Sequence, residues 1–478
     1  MLAVGYIGGK QMRITVIGTG YLGAVHAACM AHIGHEVLGV DSDSTKVAAL
    51  SAGQTPFFEP GLDGIICAAR ENGRLRFGTS LADAASFGDV HFICVGTPQL
   101  AGTHFLDLDA VRDAIAGLVP HLTRDALIVG KSTVPVGTAA ELASEVAALA
   151  PDGLRAELAW NPEFLRQGHA VQDALRPDRL VVGTSSAYSD GVMREIYEPL
   201  TSSGIPYVGT DLGSAELVKV AANAFVATKI SFINLIADIC EASGADVVDV
   251  SHALGLDTRI GGQALSSGLG FGGSCLGKDI RSLATWAHEI GVPDPVTFFR
   301  AVDDINSGRR RRAIDMARKL TGGSLRGKRV AVLGVAFKPD TDDVRDSPAL
   351  GVAQAIAAQG ADVRFHDPYA AANALAMCPQ LTSASEVTKV CEGADIVIHL
   401  TEWREYQELD PAEIRSVVRR PVLLDARNAL PLGRWRSAGW KVRAFGRLAA
   451  ADRAGLRLVP QTREQDEAPM AQIGGAAS

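Results

Sequence analysis

The stretch FGGSCLGKD, residues 271–279, places a thiol, an ammonium group and a carboxylate within about one helical turn. Cys275, Lys278 and Asp279 follow two flexible glycines, where SCLGKDIRSLATWAHEIG predicts the start of a helix. A helix N-terminus favours the thiolate of a cysteine, and the glycines would leave its sulfur accessible. Cys275 is therefore a candidate nucleophile, although a free cysteine is as often simply buried in a protein core.

A second pair of polar residues lies on a long predicted helix. Lys219 and Asn223 are four residues apart, so they share one helical face. Most helical lysines and asparagines have no chemical role, so this pair alone indicates none. The helix is predicted from an N-cap at Ser214 to about Ser243, far beyond the mean helix length of about 11 residues. Its length and its apolar faces predict a spine between two domains that also pairs with another subunit.

A glycine motif near the N-terminus fits a dinucleotide. GTGYLG begins at Gly18, after the apolar strand RITVI and before a predicted helix. Gly18 would make the tight turn, Gly20 would let the backbone approach a pyrophosphate, and Gly23 would allow close helix packing. Asp41 ends the next strand, where a carboxylate accepts ribose hydroxyls and repels a 2′-phosphate. The sequence therefore predicts NAD rather than NADP, with a glycine-rich turn and a capping aspartate as the alternative.

Strands alternate with helices on both sides of the long helix. Before it, β-rich runs such as DVHFICVGTP and DALIVGKSTVP end in turns that hold Thr97, Ser132 and Thr133. These three residues could meet the cofactor, although each alone is more often a turn residue. After it, KRVAVLGVAF opens a second alternating block without the glycine motif. The predicted fold is α/β, with two Rossmann-like doubly wound lobes joined by a long central helix and a helical middle domain.

Composition limits the partners and the compartment. A chain of 478 residues should hold two or three domains, at roughly 100–200 residues each. Its net charge of −8 offers no broad basic surface for nucleic acid. No uninterrupted apolar run reaches the roughly 18 residues of a membrane span, and no signal peptide is recognisable. The seven cysteines form no CxxC pair, so we expect a reduced, cytoplasmic protein without a metal site.

Five motifs occur in the order found in a known family. They are GTGYLG, STVPVGT, NPEFLRQG, FGGSCLGKD and GVAFKPDTDDVRDS. With Lys219 and Asn223, they make residues 12–450 resemble the UDP-glucose 6-dehydrogenases, in the UDP-glucose/GDP-mannose dehydrogenase family. The resemblance implies a homo-oligomer, at least a dimer. We predict an NAD-binding domain at 12–210, a helical dimerisation domain at 211–320, a UDP-sugar-binding domain at 321–460 and a disordered tail at 461–478.

The resemblance also implies a reaction, the four-electron oxidation of UDP-glucose to UDP-glucuronate by two NAD and water. Cys275 would attack the intermediate aldehyde to form a thiohemiacetal, and its oxidation would give a thioester that water hydrolyses. Lys219 would stabilise the oxyanion, with Asn223 donating a hydrogen bond beside it. Asp279 would position or activate the water, and Glu163 is a second candidate for the general base.

The resemblance further assigns binding residues. Those expected at NAD are Gly18, Gly20, Tyr21, Leu22, Gly23, Asp41, Lys46, Thr97, Ser132, Thr133, Gln167, Lys278 and Arg345. Those expected at the UDP-sugar are Glu163, Phe164, Leu165, Lys219, Asn223, Arg259 of a neighbouring subunit, Phe271, Gly272, Lys338 and Arg427. Gln167 departs from the family pattern, which commonly has a glutamate there, and an amide cannot transfer a proton. Val136 departs where the loop often has a second proline, which affects rigidity.

Three other interpretations stay open at this point. A sister enzyme would act on GDP-mannose or on a UDP-N-acetyl hexosamine, although RPDRLVVG after PEFLRQG favours UDP-glucose. A two-electron dehydrogenase of the 6-phosphogluconate or 3-hydroxyacyl type would need no covalent thiol. A non-catalytic NAD-binding regulator would bind NAD without producing NADH, and it would leave the cysteine centre unexplained.

Overall fold

The computed structural model of the protein describes residues 10–448. The predicted tail at 461–478 and the predicted domain end at residue 460 lie outside these residues. Two sheets lie on either side of a helical segment, in the order of the chain.

The N-terminal lobe is built on an eight-stranded sheet. Its strands are β1 (Arg13–Ile17), β2 (Glu36–Val40), β3 (Leu75–Gly78), β4 (Val90–Ile93), β5 (Ala126–Gly130), β6 (Ala156–Trp160), β7 (Leu180–Gly183) and β8 (Tyr207–Thr210). Their order is β3-β2-β1-β4-β5-β6-β7-β8, and β1 to β6 are parallel. β7 pairs with β6 in the antiparallel direction and with β8 in the parallel direction, so the predicted parallel sheet has a reversed edge.

Helices cover both faces of this sheet. They are α1 (Tyr21–His32), α2 (Ser44–Ser51), α3 (Leu62–Glu71), α4 (Leu81–Phe87), α5 (Asp109–Leu118), α6 (Thr138–Leu149), α7 (Ala170–Leu175) and α8 (Ala187–Thr201), with a short 3₁₀ turn at Val119–His121. β4 and β5 are buried along their whole length, because a parallel strand between two helical layers has no solvent-facing side. Two apolar clusters fill the spaces on the two faces.

The middle segment is helical. Its helices are α9 (Leu212–Ser243), α10 (Val247–Gly255), α11 (Leu276–Glu289) and α12 (Pro293–Leu320). α9 begins three residues earlier than predicted, because Asp211 and not Ser214 is the N-cap. The Asp211 carboxylate accepts a hydrogen bond from the Ser214 amide at 2.8 Å, which is the usual N-cap contact. α9 packs against α11 and α12, and it ends at Gly244 with φ +82°.

Among residues 10–448, α9 is the one helix that is long and apolar enough, by length and composition, to cross a membrane. The buried core helix of a soluble protein passes the same test. Lys219 and Asn223 interrupt its apolar sequence, which is why no uninterrupted run of that length appears in the chain. α9 buries the polar side chains of Glu216, Lys219 and Asn234 inside the protein.

The C-terminal lobe repeats the first architecture on a smaller scale. Its strands are β9 (Arg329–Leu333), β10 (Asp362–His366), β11 (Thr382–Ser383), β12 (Ile396–His399), β13 (Val422–Asp425) and β14 (Lys441–Ala444). Its helices are α13 (Pro348–Ala357), α14 (Ala371–Met377), α15 (Val387–Cys391), α16 (Arg404–Glu408), α17 (Pro411–Val417) and α18 (Leu432–Ser437). All six strands are parallel, in the order β11-β10-β9-β12-β13-β14. The predicted fold class is confirmed.

Candidate active site

The glycine turn after β1 has the shape that a pyrophosphate requires. Gly18 has φ +87°, a conformation that favours glycine. A Cβ atom on Gly23 would lie 1.8 Å from the Gly18 carbonyl oxygen, so α1 can start this close to the turn only without a side chain there. A Cβ atom on Gly20 would meet nothing within 4 Å, which leaves the N-terminus of α1 open to a phosphate. These residues therefore fit NAD.

Asp41 directly follows β2 and lies beside this turn. Its carboxylate accepts hydrogen bonds from the Thr19 amide at 2.8 Å and from Lys46 Nζ at 2.8 Å. Burial alone would raise its pKa, but the hydrogen bonds from Lys46 and from backbone amides outweigh burial and lower the pKa. Asp41 is therefore ionised and oriented. Lys46 offsets part of the Asp41 charge. Asp41 would therefore repel the 2′-phosphate of NADP less strongly than we expected from the sequence.

The other candidate NAD residues hold the neighbouring loops together. The Ser132 hydroxyl donates to the Val95 carbonyl at 2.6 Å, and the Thr97 hydroxyl donates to the Thr133 carbonyl at 2.7 Å. The side chains of Ser132 and Thr97 thus join the loops that follow β4 and β5. Both hydroxyl groups bond to backbone carbonyls, and the exposed sides of the same loops are available to a ligand.

A cavity of about 790 Å³ lies where the two lobes and the helical segment meet. Glu163, Lys219, Asn223, Cys275 and Lys338 line it, so the structure brings these predicted residues together. Lys219 Nζ lies 3.0 Å from Glu163 Oε1, and Asn223 Nδ2 donates to an Asp279 oxygen at 2.6 Å. The cavity therefore combines a thiol, two lysines and the Glu163 carboxylate, and Asn223 connects it to the Asp279 carboxylate behind its wall.

Lys219 is buried, with 5% of its surface exposed. Burial disfavours its charged form, but the nearby Glu163 and Asp279 carboxylates outweigh burial and raise the pKa. Lys219 is therefore an ammonium group at neutral pH. A fixed cation in a partly desolvated cavity can stabilise an oxyanion.

Cys275 directly precedes α11, and its side chain is exposed to the cavity. The protein atoms of the cavity wall desolvate the sulfur and raise its pKa, the Glu163 carboxylate adds to this effect, and Lys219 opposes it. The resting side chain is therefore a thiol. Desolvation therefore outweighs the effect expected from the helix N-terminus.

Asp279 lies one turn into α11 and is almost fully buried, with 1% of its surface exposed. Its Oδ2 atom accepts from Asn223, whereas Oδ1 has no hydrogen-bond donor among residues 10–448. Lys278 Nζ lies 3.2 Å from Oδ1 as an ion pair, without hydrogen-bonding geometry. A buried carboxylate oxygen without a donor is a suitable acceptor for a water or hydroxyl proton.

Gln167 links the first lobe to the second. Its Nε2 atom donates to Asp343 Oδ2 at 3.0 Å, and its backbone carbonyl accepts from Lys338 Nζ. Asp343 in turn holds the Arg345 guanidinium through two nitrogen atoms, at 2.6 Å and 2.9 Å. Burial would raise the pKa of Asp343, but the contacts with Arg345 and Gln167 lower it. The side chain of Gln167 is therefore a structural donor between lobes.

Only some of the candidate sugar-nucleotide residues line the cavity. Phe164 lies under Arg179, whose guanidinium carbon is 3.9 Å from the ring centroid, and it lines the cavity with Leu165 and Gly272. Phe271, directly before Gly272, is buried and is held by Asn306 through both backbone groups, at 2.8 Å and 3.0 Å.

Two candidate arginines do not reach the cavity. Arg427 donates to the backbone carbonyls of Leu400, Gly270 and Phe337 at 2.7–3.1 Å, so its guanidinium has a structural role in this chain. Arg259 pairs with Asp257 and its side chain is 86% exposed, so it does not line the cavity of its own chain.

Several residues that the sequence did not identify support the site. Glu59 accepts from the amides of Gly168 and Ala170 at 2.6 Å and 2.7 Å, and from the Tyr21 hydroxyl. Burial and Glu59 raise the pKa of Tyr21. Lys131, which lines the inner end of the cavity, donates to Asn161 at 2.9 Å, and burial lowers its pKa to about 8. No periodic pattern in the sequence marks these contacts. Among the described residues, no group of three or more metal-ligating side chains could hold an ion.

A dinucleotide-binding turn, together with a cavity that holds a thiol, a lysine and carboxylates, defines an NAD-dependent oxidoreductase. The chain belongs to the UDP-glucose/GDP-mannose dehydrogenase family. The family's NAD binding domain matches residues 12–201, its central domain matches 213–308, and its UDP binding domain matches 331–431. The predicted family, enzyme class and cofactor are confirmed, and the interpretation as a non-catalytic regulator is not supported.

Individual relatives resemble the chain over most of its length. A UDP-glucose 6-dehydrogenase of Rhizobium meliloti (strain 1021) is 41% identical over 443 residues, which cover 91% of this chain and 100% of that protein. Among solved structures, a UDP-glucose dehydrogenase from Pyrobaculum islandicum is 35% identical with a TM-score of 0.84, covering 92% of this chain and 98% of that one. A UDP-D-ManNAc dehydrogenase from Pyrococcus horikoshii is 26% identical with a TM-score of 0.80, covering 91% and 99%.

Proposed function

We propose that this enzyme oxidises UDP-glucose to UDP-glucuronate, using two NAD and one water, through a covalent bond to Cys275. The proposal rests on one observation: Cys275, Lys219 and Glu163 line the same cavity, and the Asn223–Asp279 hydrogen bond lies beside them. The named activity of the 41% identical relative supports the choice of UDP-glucose. NAD, when bound, accepts the hydride in both oxidations.

The first oxidation removes a hydride from C6 and a proton from its hydroxyl group. Lys219 stabilises the negative charge that develops on the oxygen, because the lysine is a buried ammonium next to the reacting centre. Glu163 is the candidate acceptor of the proton, since it lies 3.0 Å from Lys219 and lines the same cavity. The product of this step is an aldehyde.

The second oxidation takes place on the enzyme. The Cys275 sulfur forms a bond to the aldehyde carbon, and the thiol proton ends on the former carbonyl oxygen, which gives a thiohemiacetal. Lys219 and Asn223 stabilise the charge on that oxygen during the addition. Loss of a hydride from carbon and a proton from oxygen then gives a thioester. The covalent bond holds the half-oxidised sugar in the cavity between the two steps.

Hydrolysis completes the reaction. A water attacks the thioester carbonyl, the carbon–sulfur bond breaks, and Cys275 regains a proton as the carboxylate leaves. Asp279 is the candidate base for the water, because its Oδ1 atom has no hydrogen-bond donor among residues 10–448. Asn223 fixes the other oxygen of Asp279 at 2.6 Å and so orients the carboxylate.

We further propose that the C-terminal lobe binds the UDP part, with Lys338 as its cationic contact. Lys338 lines the cavity, and burial lowers its pKa, which would rise again beside a pyrophosphate. A homodimer is the minimum assembly, because α9 and α10 expose large apolar side chains and Arg259 has no role in its own cavity. These exposed side chains include Phe225, Phe232 and Ile239 on α9, Val248 on α10, and Leu256 and Ile260 directly after α10.

The proposal is tested by product stoichiometry over a panel of nucleotide sugars. UDP-glucose should give two NADH per molecule consumed and no free aldehyde. Cys275→Ala should abolish formation of the uronate without changing the affinity for NAD, whereas Cys67→Ala, in the N-terminal lobe, should be active. One NADH per sugar with released aldehyde would contradict the thioester route. Faster turnover of a UDP-N-acetyl hexosamine would favour the second candidate function, which the ManNAc enzyme supports.

A further inference from the structure

α9 carries a buried carboxylate that the proposed reaction does not use. Glu216 has 2% of its surface exposed and lies one turn before Lys219 on the same helical face. Its Oε2 atom accepts from the Gly137 amide at 2.7 Å, and its Oε1 atom accepts from the Ala139 amide at 2.6 Å. Both oxygens therefore hold backbone groups of a different part of the chain.

These two amides belong to the start of α6, which has no side-chain cap of its own. Gly137 is the N-cap residue, with φ +101°, and it has no side chain to accept from the first amides of the helix. The Thr138 hydroxyl donates to the Pro135 carbonyl at 2.7 Å and so does not act as a cap. Glu216 supplies the missing acceptor from α9, and its ionised form also suits the positive end of the helix dipole.

The segment just before α6, residues 131–137, contains the candidate cofactor residues Ser132 and Thr133. Its first half is held by the loop after β4, through the Ser132–Val95 and Thr97–Thr133 hydrogen bonds. Its second half is held by Glu216. The segment is thus fixed at one end to the NAD-binding sheet and at the other end to the helix of Lys219.

We infer that Glu216 is a positioning residue, which sets residues 131–137 relative to Lys219 and thereby holds this segment in the position that binds NAD. This inference rests on the proposed function, because it assigns residues 131–137 to NAD. Burial raises the pKa of Glu216 to about 7 despite the two amide donors, and the acidic side chains of Glu141 on α6 and Asp211 before α9 act in the same direction.

Glu216→Gln is the test, because the amide keeps the size of the side chain but turns one acceptor into a donor that faces a backbone N–H. We expect the KM for NAD to rise about tenfold, with kcat at saturating NAD changed by less than about twofold. The amide hydrogens of Gly137 and Ala139 should exchange faster in the variant. NAD affinity is also measured by equilibrium titration, which does not depend on turnover.

Leu142→Ala is the matched control, since Leu142 is a buried residue of α6 without a hydrogen bond to the segment. It should lower the melting temperature at least as much as Glu216→Gln and leave the KM for NAD unchanged. The inference is overturned if Glu216→Gln leaves both NAD affinity and amide exchange unchanged, or if Leu142→Ala weakens NAD equally. A wild-type enzyme that makes no NADH from UDP-glucose would refute the proposed function, while the titration and the exchange data would still decide the role of Glu216.

Discussion

Replacing Gln167 by glutamate should convert a contact between the lobes into a pH-dependent repulsion. The amide of Gln167 donates to Asp343 Oδ2 at 3.0 Å, and Asp343 holds Arg345 on its other side. In Gln167→Glu, a carboxylate oxygen would occupy the position of the donor. Two like charges would then face each other at about the same distance, in a place where Asp343 is ionised.

The size of the effect follows from that distance. Two unit charges 3.0 Å apart repel by about 1.4 kcal/mol in water, and by about 5.5 kcal/mol at an effective dielectric constant of about 20. Arg345 and solvent screen the pair, so we expect about 2 kcal/mol of repulsion. The lost hydrogen bond adds about 1 kcal/mol. The matched variant Gln167→Met loses only the hydrogen bond.

The sign of the pH dependence separates these two variants. Repulsion raises the pKa of the new glutamate in the folded protein, so the folded state binds a proton more readily than the unfolded chain does. The protonated acid can donate to Asp343 as the amide does. Gln167→Glu should therefore approach wild-type stability at low pH and lose stability as the pH rises through the raised pKa, whereas the loss in Gln167→Met should not change with pH.

Thermal melting from about pH 5 to pH 9 is the assay, with wild type and both variants in parallel. At pH 8 we expect Gln167→Glu to melt about 2 °C below Gln167→Met, because about 1 kcal/mol corresponds to about 1 °C in a chain of this size. If the two variants differ from wild type by the same amount at every pH, then the amide does not face an ionised Asp343. The reasoning about this contact would then be refuted.

Two further predictions concern the thiol and the glycine turn. Lys219→Met should slow alkylation of Cys275 at pH 8 by about tenfold, because removal of the cation raises the thiol pKa further. The alkylation rate of Cys67 in the same sample is the control, and an unchanged rate at Cys275 would show that the lysine does not act on the sulfur. Gly20→Ala should weaken NAD binding with little change in melting temperature, since its Cβ atom meets no protein atom. Gly23→Ala should lower both NAD affinity and melting temperature, since its Cβ atom would overlap the Gly18 carbonyl, and equal melting temperatures for the two variants would contradict this geometry.

The sequence predicted the features that local rules control. The strand–turn–helix around Gly18 and the i, i+4 spacing of Lys219 and Asn223 follow from nearest-neighbour geometry, so both appear in the structure where they were expected. The reversed direction of β7 was not predicted, because a short apolar strand has the same sequence pattern in either direction. The start of α9 was misplaced by three residues, because Asp211 and Ser214 are both good N-caps.

The electrostatic state of the site could not be predicted, because it depends on distant contacts. The expectation of a thiolate at Cys275 used only the helix that follows it, whereas the pKa of the thiol depends on the surrounding cavity wall and on Glu163. The pairing of Arg427 with three backbone carbonyls likewise joins three separate segments. A sequence shows which groups exist, but burial determines which of their charges are stable.

One face of α9 brings the parts of the site together. Along this face, Glu216 holds the start of α6, Lys219 pairs with Glu163, and Asn223 donates to Asp279. Each partner is at least 56 residues away in the chain and belongs to a different element, so one rigid helix sets the distances between the cofactor segment, the candidate base and the cysteine helix. Covalent catalysis at Cys275 requires the sugar to stay aligned through two hydride transfers. The proposed reaction therefore needs these groups to be held at fixed distances by one rigid element, which is α9. A change that bends α9 between these three residues should therefore impair both oxidations together.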